Sequence, residues 1–204
     1  MILTEISRSI GTIRISRPDK ANSLGSAMLE ALIRAFEQMA ATPDLRGVIL
    51  TAEGRVFSAG ADLDEARAGL AVSELWERLS AQVAAMPCLT IAALNGTVAG
   101  GAMGMVLACD MRLAVPDARF FYPVMRLGYL PQPSDPVRLA ALVGPSRAKM
   151  ILLAGQKIAA DEALAWGLID RIAAPDALLG EAEALCADAL AAPQGHAAAI
   201  KRML

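Results

Sequence analysis

The sequence predicts an α/β fold in which most strands run parallel. Three observations carry this. Short apolar runs such as residues 47–51 (GVILT) and 89–94 (LTIAAL) read as strands buried on both faces. Segments with apolar residues at helical spacing lie between such runs, bounded by proline or a capping residue. Strands and helices alternate along the chain, and no linker separates two folded halves.

In chain order, residues 2–7 and 11–16 alternate apolar and polar residues in part and read as two strands joined around Ser9. A polar loop follows at residues 17–22. Ser26 is placed to cap a helix reaching about residue 41, with Met28, Leu29, Leu32, Ile33, Phe36 and Met39 on one face. After the strand at 47–51 comes a loop with Gly54 and Gly60, then a helix from Ser73 to about Met86, with Leu75, Trp76, Leu79, Val83 and Met86 on one side, that Pro87 ends. Beyond the strand at 89–94, residues 100–109 read as a helix of small, tightly packed residues. Strands are expected at 111–115 and 119–122. Pro131, Pro133 and Pro136 forbid regular structure between residues 130 and 135. Helices follow at 137–143 and 146–153, then a short one capped by Asp161 and ended by Gly167. A last strand is expected at 168–172, then an alanine-rich helix over 175–191 and a final one to residue 204. No internal repeat stands out.

Bulk properties narrow the function. The chain has 204 residues, 55% of them hydrophobic, enough for a core in one domain. A formal net charge of −2 argues against a nucleic-acid partner. Cys88, Cys109 and Cys186 are too widely spaced for a zinc site or a disulfide framework and read as small buried residues. The first ten residues lack the apolar stretch of a secretory leader. The most apolar stretch, 96–109, is too short and glycine-rich to span a membrane. The expectation is a soluble, cytoplasmic protein with no membrane partner and no bound metal.

Two segments carry chemistry: residues 57–63 (FSAGADL) and 95–104 (NGTVAGGAMG). Each follows a buried strand and leads towards a helix. Small residues there let a ligand approach the backbone, and unpaired N–H groups favour a developing negative charge. Tight packing alone also explains such loops. The glycines miss the dinucleotide-binding spacing, and no phosphate-binding loop is present. Ser58 lacks the flanking glycines of a nucleophile elbow, and the one histidine, His196, lies in the last helix, so a Ser–His–Asp triad is not expected.

These two segments resemble the signature segments of the enoyl-CoA hydratase/isomerase (crotonase) family. The resemblance extends to Arg17–Pro18 with Asn22 and Leu24, to CDMRLAVPDARF (109–120), to LGYLP (127–131) with Leu139 to Gly144, and to ILLAGQKIAADEALAWGLIDRI (151–172). It covers nearly the whole chain in order. It implies a crotonase-like (ClpP/crotonase) α/β spiral of ββα units over 1–172, and a helical C-terminal part over 173–204 that is shorter than the family's. It also implies a homotrimer or hexamer, and an acyl-CoA thioester as partner, with coenzyme A part of the substrate and no separate cofactor. By resemblance, the N–H groups of Ala61 and Gly101 form an oxyanion hole for the thioester carbonyl. Ala21, Leu24, Ala59, Asp62, Leu63, Val98, Gly100, Gly104, Val124 and Leu127 are the implied substrate-binding positions. Asp62 equally suits a helix cap. Arg17 and Lys20 either reach the phosphates of coenzyme A or belong to a solvated loop.

The sequence departs from the family where proton chemistry needs side chains. Hydratases of the family carry glutamates at the positions of Gly104 and Val124, and another subset places its acid at Gln132. None of the three residues present here ionises as an acid or base near neutral pH. Ordinary hydration is therefore not expected, and isomerase or lyase chemistry is, decarboxylation included, since loss of CO₂ forms an enolate without a base. Tyr129 and Asp135 are the acid/base candidates, with Tyr122 also flanking the expected pocket. Asp135 alternatively caps the next helix, and the tyrosines alternatively belong to the core. A non-catalytic acyl-CoA-binding protein is the alternative function.

Overall fold

Strand β1 (Ile2–Ser7) and strand β2 (Ile10–Ile15) form an antiparallel hairpin. The turn residues Arg8 and Ser9 take φ of 49° and 64°, the left-handed pair that matches strand twist in a two-residue turn. The computed structural model describes residues 1–204 and continues from this hairpin into a parallel sheet. Helix α1 (Ser26–Ala41) leads to β3 (Gly47–Ala52), which pairs with β2 and is buried along its whole length. Strand β4 (Val56–Ser58) then leaves for a second sheet, followed by α2 (Leu63–Arg67) and α3 (Leu75–Ala84).

The pattern repeats. Strands β5 (Leu89–Leu94) and β6 (Thr97–Ala99) are followed by α4 (Ala102–Leu107). Strands β7 (Met111–Ala114) and β8 (Arg119–Phe121) are followed by α5 (Val124–Leu127) and α6 (Asp135–Val143). In each turn the first strand joins the larger sheet and the second joins the smaller one. This is the ββα spiral. The repeat escapes inspection of the sequence because the second strands are only three residues long and show no periodicity. Two of them, β4 and β6, correct the sequence reading, which took them for loop.

The chain ends in α7 (Pro145–Leu152), β9 (Ile158–Ala159), α8 (Ala160–Trp166), β10 (Arg171–Ile172), α9 (Leu178–Ala184), α10 (Ala187–Ala191) and α11 (His196–Lys201). The larger sheet has the order β1-β2-β3-β5-β7-β10, and the smaller β4-β6-β8-β9. The single helix expected over 175–191 is two helices. Cys186 sits between them and packs where Gly47 has no side chain, a Cβ there falling 2.8 Å from its sulfur. Only Arg171 and Ile172 of the expected last strand pair with β7.

The helices pack by their apolar faces. On α1, Leu29, Leu32, Ile33, Phe36 and Met39 are buried. Its cap is not the Ser26 side chain but the Glu65 carboxylate from α2, which accepts both the Ser26 N–H and Oγ–H at 2.7 Å. Arg112 on β7 is buried and donates to the carbonyls of Leu168 (3.0 Å) and Cys109 (2.8 Å), stitching the last strands to α4. The three cysteines are buried thiols. Burial pushes Cys109 up to about 12, and Cys88 and Cys186 to about 11. No helix is long and apolar enough to cross a membrane.

Candidate active site

The first loop is built around Asn22, which is wholly buried with φ of 53°. Its amide donates to the carbonyls of Glu53 and Val56, and its Oδ1 accepts the Arg17 N–H. Ser58 donates to the Asn22 carbonyl at 2.8 Å and accepts the Gly60 N–H at 3.2 Å. The Ala59 N–H bonds to Ala21 and the Asp62 N–H to Leu24. From Ala59 to Asp62, only the N–H of Ala61 has no acceptor within the chain.

The second loop leads from β6 into α4. The Gly100 N–H bonds to Phe121, whereas that of Gly101 has no acceptor within the chain. The two loops touch glycine to glycine. Gly60 has φ of 90°, and a Cβ there would lie 2.8 Å from the Ala99 carbonyl oxygen. The close approach therefore requires glycine for both conformation and space. Ala61 and Gly101 line one cavity of about 130 Å³.

Of the positions expected from the sequence, Ala59, Ala61, Leu63, Gly100, Gly101, Val124, Leu127 and Tyr129 come together at this cavity. The others do not line it. Leu24 and Val98 are wholly buried in the core. Ala21 holds the Ala59 N–H. Asp62 caps α2 through the Asp64 N–H (3.2 Å) and pairs with Arg17 at 2.8 Å. The Arg17 guanidinium holds its carboxyl below the ordinary range. Gly104 lies within α4, facing Ser80 and Asp135. Trp76, Ala66, Ala71 and Leu130 also line the cavity, and the sequence did not single them out. Trp76 was legible only as part of the apolar face of a helix. Its ring lies against Gly101, where a Cβ would fall 2.9 Å from two ring carbons.

Asp135 does not cap α6. The cap position belongs to Ser134, whose N–H and Oγ–H are held by the Glu77 carboxylate at 3.2 and 3.0 Å. The Asp135 carboxyl instead turns inward, only 1% of the residue exposed, and its Oδ2 accepts the Tyr122 hydroxyl at 2.8 Å. Its Oδ1 is buried with no partner. Tyr122 and Gln132 reach the cavity, and Asp135 lies behind them. Burial raises the Asp135 carboxyl from its ordinary 3.8 to about 6, against the opposing pull of the Tyr122 bond. Burial likewise pushes the Tyr122 hydroxyl well above its ordinary range, and the Asp135 charge adds to this.

This raised value makes stability depend on pH. Between 3.8 and about 6, the folded chain holds a proton at Asp135 that the unfolded chain has released. Stability is greatest below the lower value and falls as pH rises through the upper one. Asp135→Asn removes the penalty while keeping an acceptor for Tyr122. The variant is expected to be more stable near neutral pH by on the order of 2–3 kcal/mol, a gain that vanishes at about pH 4. Urea denaturation at the two pH values checks this, and a parent more stable at neutral pH contradicts it.

No group of three or more His, Cys, Asp or Glu side chains is placed to hold a metal ion. Fixed backbone donors beside an apolar cavity are suited to an oxygen that gains negative charge during a reaction.

Comparison with known proteins identifies the family and the fold. The sequence profile of the enoyl-CoA hydratase/isomerase family matches residues 5–204. A Thermus thermophilus protein provisionally named an enoyl-CoA hydratase is 35% identical over 188 residues, covering 86% of this chain and 72% of its own. The 4-chlorobenzoyl coenzyme A dehalogenase-2 of an Arthrobacter species is 35% identical over 181 residues, covering 84% of this chain and 65% of its own. The crystal structure of an enoyl-CoA hydratase from Bacillus anthracis superposes with a TM-score of 0.91 at 31% identity, covering 98% of this chain and 81% of that one. By sequence and by crotonase-like fold, the chain belongs to the enoyl-CoA hydratase/isomerase family.

Proposed function

We propose that this protein binds an acyl-CoA thioester with its carbonyl oxygen between the N–H groups of Ala61 and Gly101, and catalyses enolate chemistry at the α-carbon. The reaction is isomerisation of an enoyl-CoA or loss of a carboxylate, not hydration. The observation that carries this reading is the pair of N–H groups without acceptors at one cavity, in loops whose neighbouring N–H groups at Ala59, Gly60, Asp62 and Gly100 are all bonded. A packing loop has no need to leave those two free. Removing an α-proton or a carboxylate places negative charge on the thioester oxygen, and preorganised donors stabilise it there.

Hydration is disfavoured because it needs both a water activated and a proton delivered, whereas Gly104 and Val124 carry no proton-transfer group and Gln132 carries only an amide. The family alone does not choose among reactions, since its relatives include a dehalogenase as well as hydratases. The test is a panel of acyl-, enoyl- and malonyl-type CoA esters incubated with the protein in D₂O and followed by mass. Enzyme-dependent α-deuterium, double-bond migration or loss of CO₂ is expected for at least one ester. Binding without any of these changes overturns the catalytic reading in favour of a binding protein.

A further inference from the structure

Behind the cavity wall, three features of separate segments fit one another. Gly104 on α4 has no side chain, and a Cβ there would lie 2.8 and 3.1 Å from the two oxygens of Asp135 and 2.6 Å from Ser80 Oγ. The Asp135 carboxyl, at the start of α6, fills that space. Tyr122, just after β8, lines the cavity and donates its hydroxyl to Asp135 Oδ2 at 2.8 Å. The second carboxyl oxygen is sealed from solvent and unpaired. A carboxyl placed only for packing would be matched by a donor or a cation. Arg138, whose charge lowers the Asp135 carboxyl, instead donates to Ser134 Oγ at 2.6 Å.

We propose that Tyr122 and Asp135 form a proton relay to the α-carbon of the thioester held by Ala61 and Gly101. Tyr122 touches the substrate, and Asp135 acts through it as the positioning residue that takes the proton. The inference rests on the acyl-CoA reading above. In the forward step the Cα–H bond breaks and its electron pair enters the enolate. The proton goes to Tyr122 Oη while the proton already on Oη passes to Asp135 Oδ2. Asp135 becomes neutral, Tyr122 ends as it began, and the negative charge moves to the thioester oxygen. Reversal at the α- or γ-carbon returns the proton, so exchange and double-bond migration both balance without a co-reactant. A neutral Asp135 supplies the proton in the same way after loss of CO₂.

Titration of the pair suits the task. Tyr122 stays neutral because burial and the nearby carboxyl raise it, so it passes a proton on without holding a charge. Asp135, at about 6, has both forms within reach near neutral pH. The charged groups facing it are Glu77 on α3, which raises it, and Arg138 on α6, which lowers it. Helix α4 contributes none, since residues 102–107 carry no titratable side chain.

The test uses Tyr122→Phe and Asp135→Asn in the full chain. Two quantities are read. The first is the infrared shift of the carbonyl of a bound saturated acyl-CoA. The second is proton movement, as α-deuterium uptake in D₂O and conversion of a β,γ-enoyl-CoA to its α,β-isomer, over a pH range spanning the carboxyl. The parent rate is expected to rise with pH through about 6 and then level. Each variant is expected to lose about 10²–10⁴-fold in proton movement while keeping the carbonyl shift, and Asp135→Asn is expected to lose the pH limb. Asp135→Asn also guards against loss of the fold, being the chain expected to be more stable near neutrality. Either variant moving protons at the parent rate overturns the relay and leaves the oxyanion reading intact. So does a parent that shifts the carbonyl but moves no proton. A parent that binds the ester with no carbonyl shift overturns the oxyanion reading and the relay with it.

Discussion

Ala61→Pro is expected to lower turnover by about 10²–10³-fold, the loss that follows removal of one oxyanion donor. Proline deletes the N–H, which donates to no acceptor within the chain. The bonds that anchor Ala61 run through its neighbours. The Gly60 carbonyl accepts the Leu24 N–H at 2.8 Å, and the Asp62 N–H donates to Leu24 at 2.9 Å. Both survive the change. Residue 60 before the new proline is glycine, which tolerates the restriction that proline places on its predecessor. The loss is expected in kcat, with ester affinity changed little, because the donor acts most strongly on the charge that develops during reaction. Ala61→Gly keeps the N–H and is the control, expected to retain activity. Steady-state kinetics on the ester that the panel identifies checks both variants. Parent-like kcat in a folded Ala61→Pro contradicts the placement of the hole.

Arg112→Ala is expected to lower stability by about 3–5 kcal/mol, the range seen when one member of a buried charged network is removed. The loss does not come chiefly from the ion pair. Arg112 approaches Asp170 at 3.3 Å, but that carboxylate is 42% exposed and water solvates it once the arginine is gone. The larger part comes from the Leu168 and Cys109 carbonyls, which lose a charged donor in a buried setting. Arg112→Lys is expected to recover little. A single ammonium on a flexible stem does not reproduce the planar fork that serves Leu168 through Nε and Cys109 through Nη1. Urea denaturation measures both. A change under about 1 kcal/mol for Arg112→Ala, the range of an ordinary surface substitution, contradicts this account.

Much of the fold was legible where apolar periodicity is long enough to read. Strands β2, β3, β5 and β7 and helices α1 and α3 stand in the sequence as apolar runs or as one-sided helical spacing. The second sheet was largely invisible, because β4, β6 and β9 are two or three residues long, too short to show a period. The helix ends show the limit of local rules. Ser26 looked like a cap, but Glu65, distant in sequence, supplies the acceptor.

The site was legible in a different way. Free N–H groups leave no mark in a sequence, since every residue except proline has one. Ala61 and Gly101 were singled out by family resemblance, and only the structure shows that their neighbours are bonded while they are not. Asp135 was read as a helix cap or an acid, and no local rule decides between them. Its inward turn depends on the space beside Gly104 and on the Tyr122 hydroxyl, each from another segment. Trp76 reaches the cavity from a helix whose sequence signals burial but not a ligand.

Ala61 and Gly101 are proposed to polarise a thioester carbonyl. The direct measurement is the infrared difference spectrum of an acyl-CoA with an isotope-labelled carbonyl, free and bound to the parent and to Ala61→Pro. The carbonyl stretch is expected to move to lower frequency on binding to the parent, and much of the shift is expected to be lost in Ala61→Pro. A bound ester whose carbonyl stretches at the free frequency in the parent would contradict it.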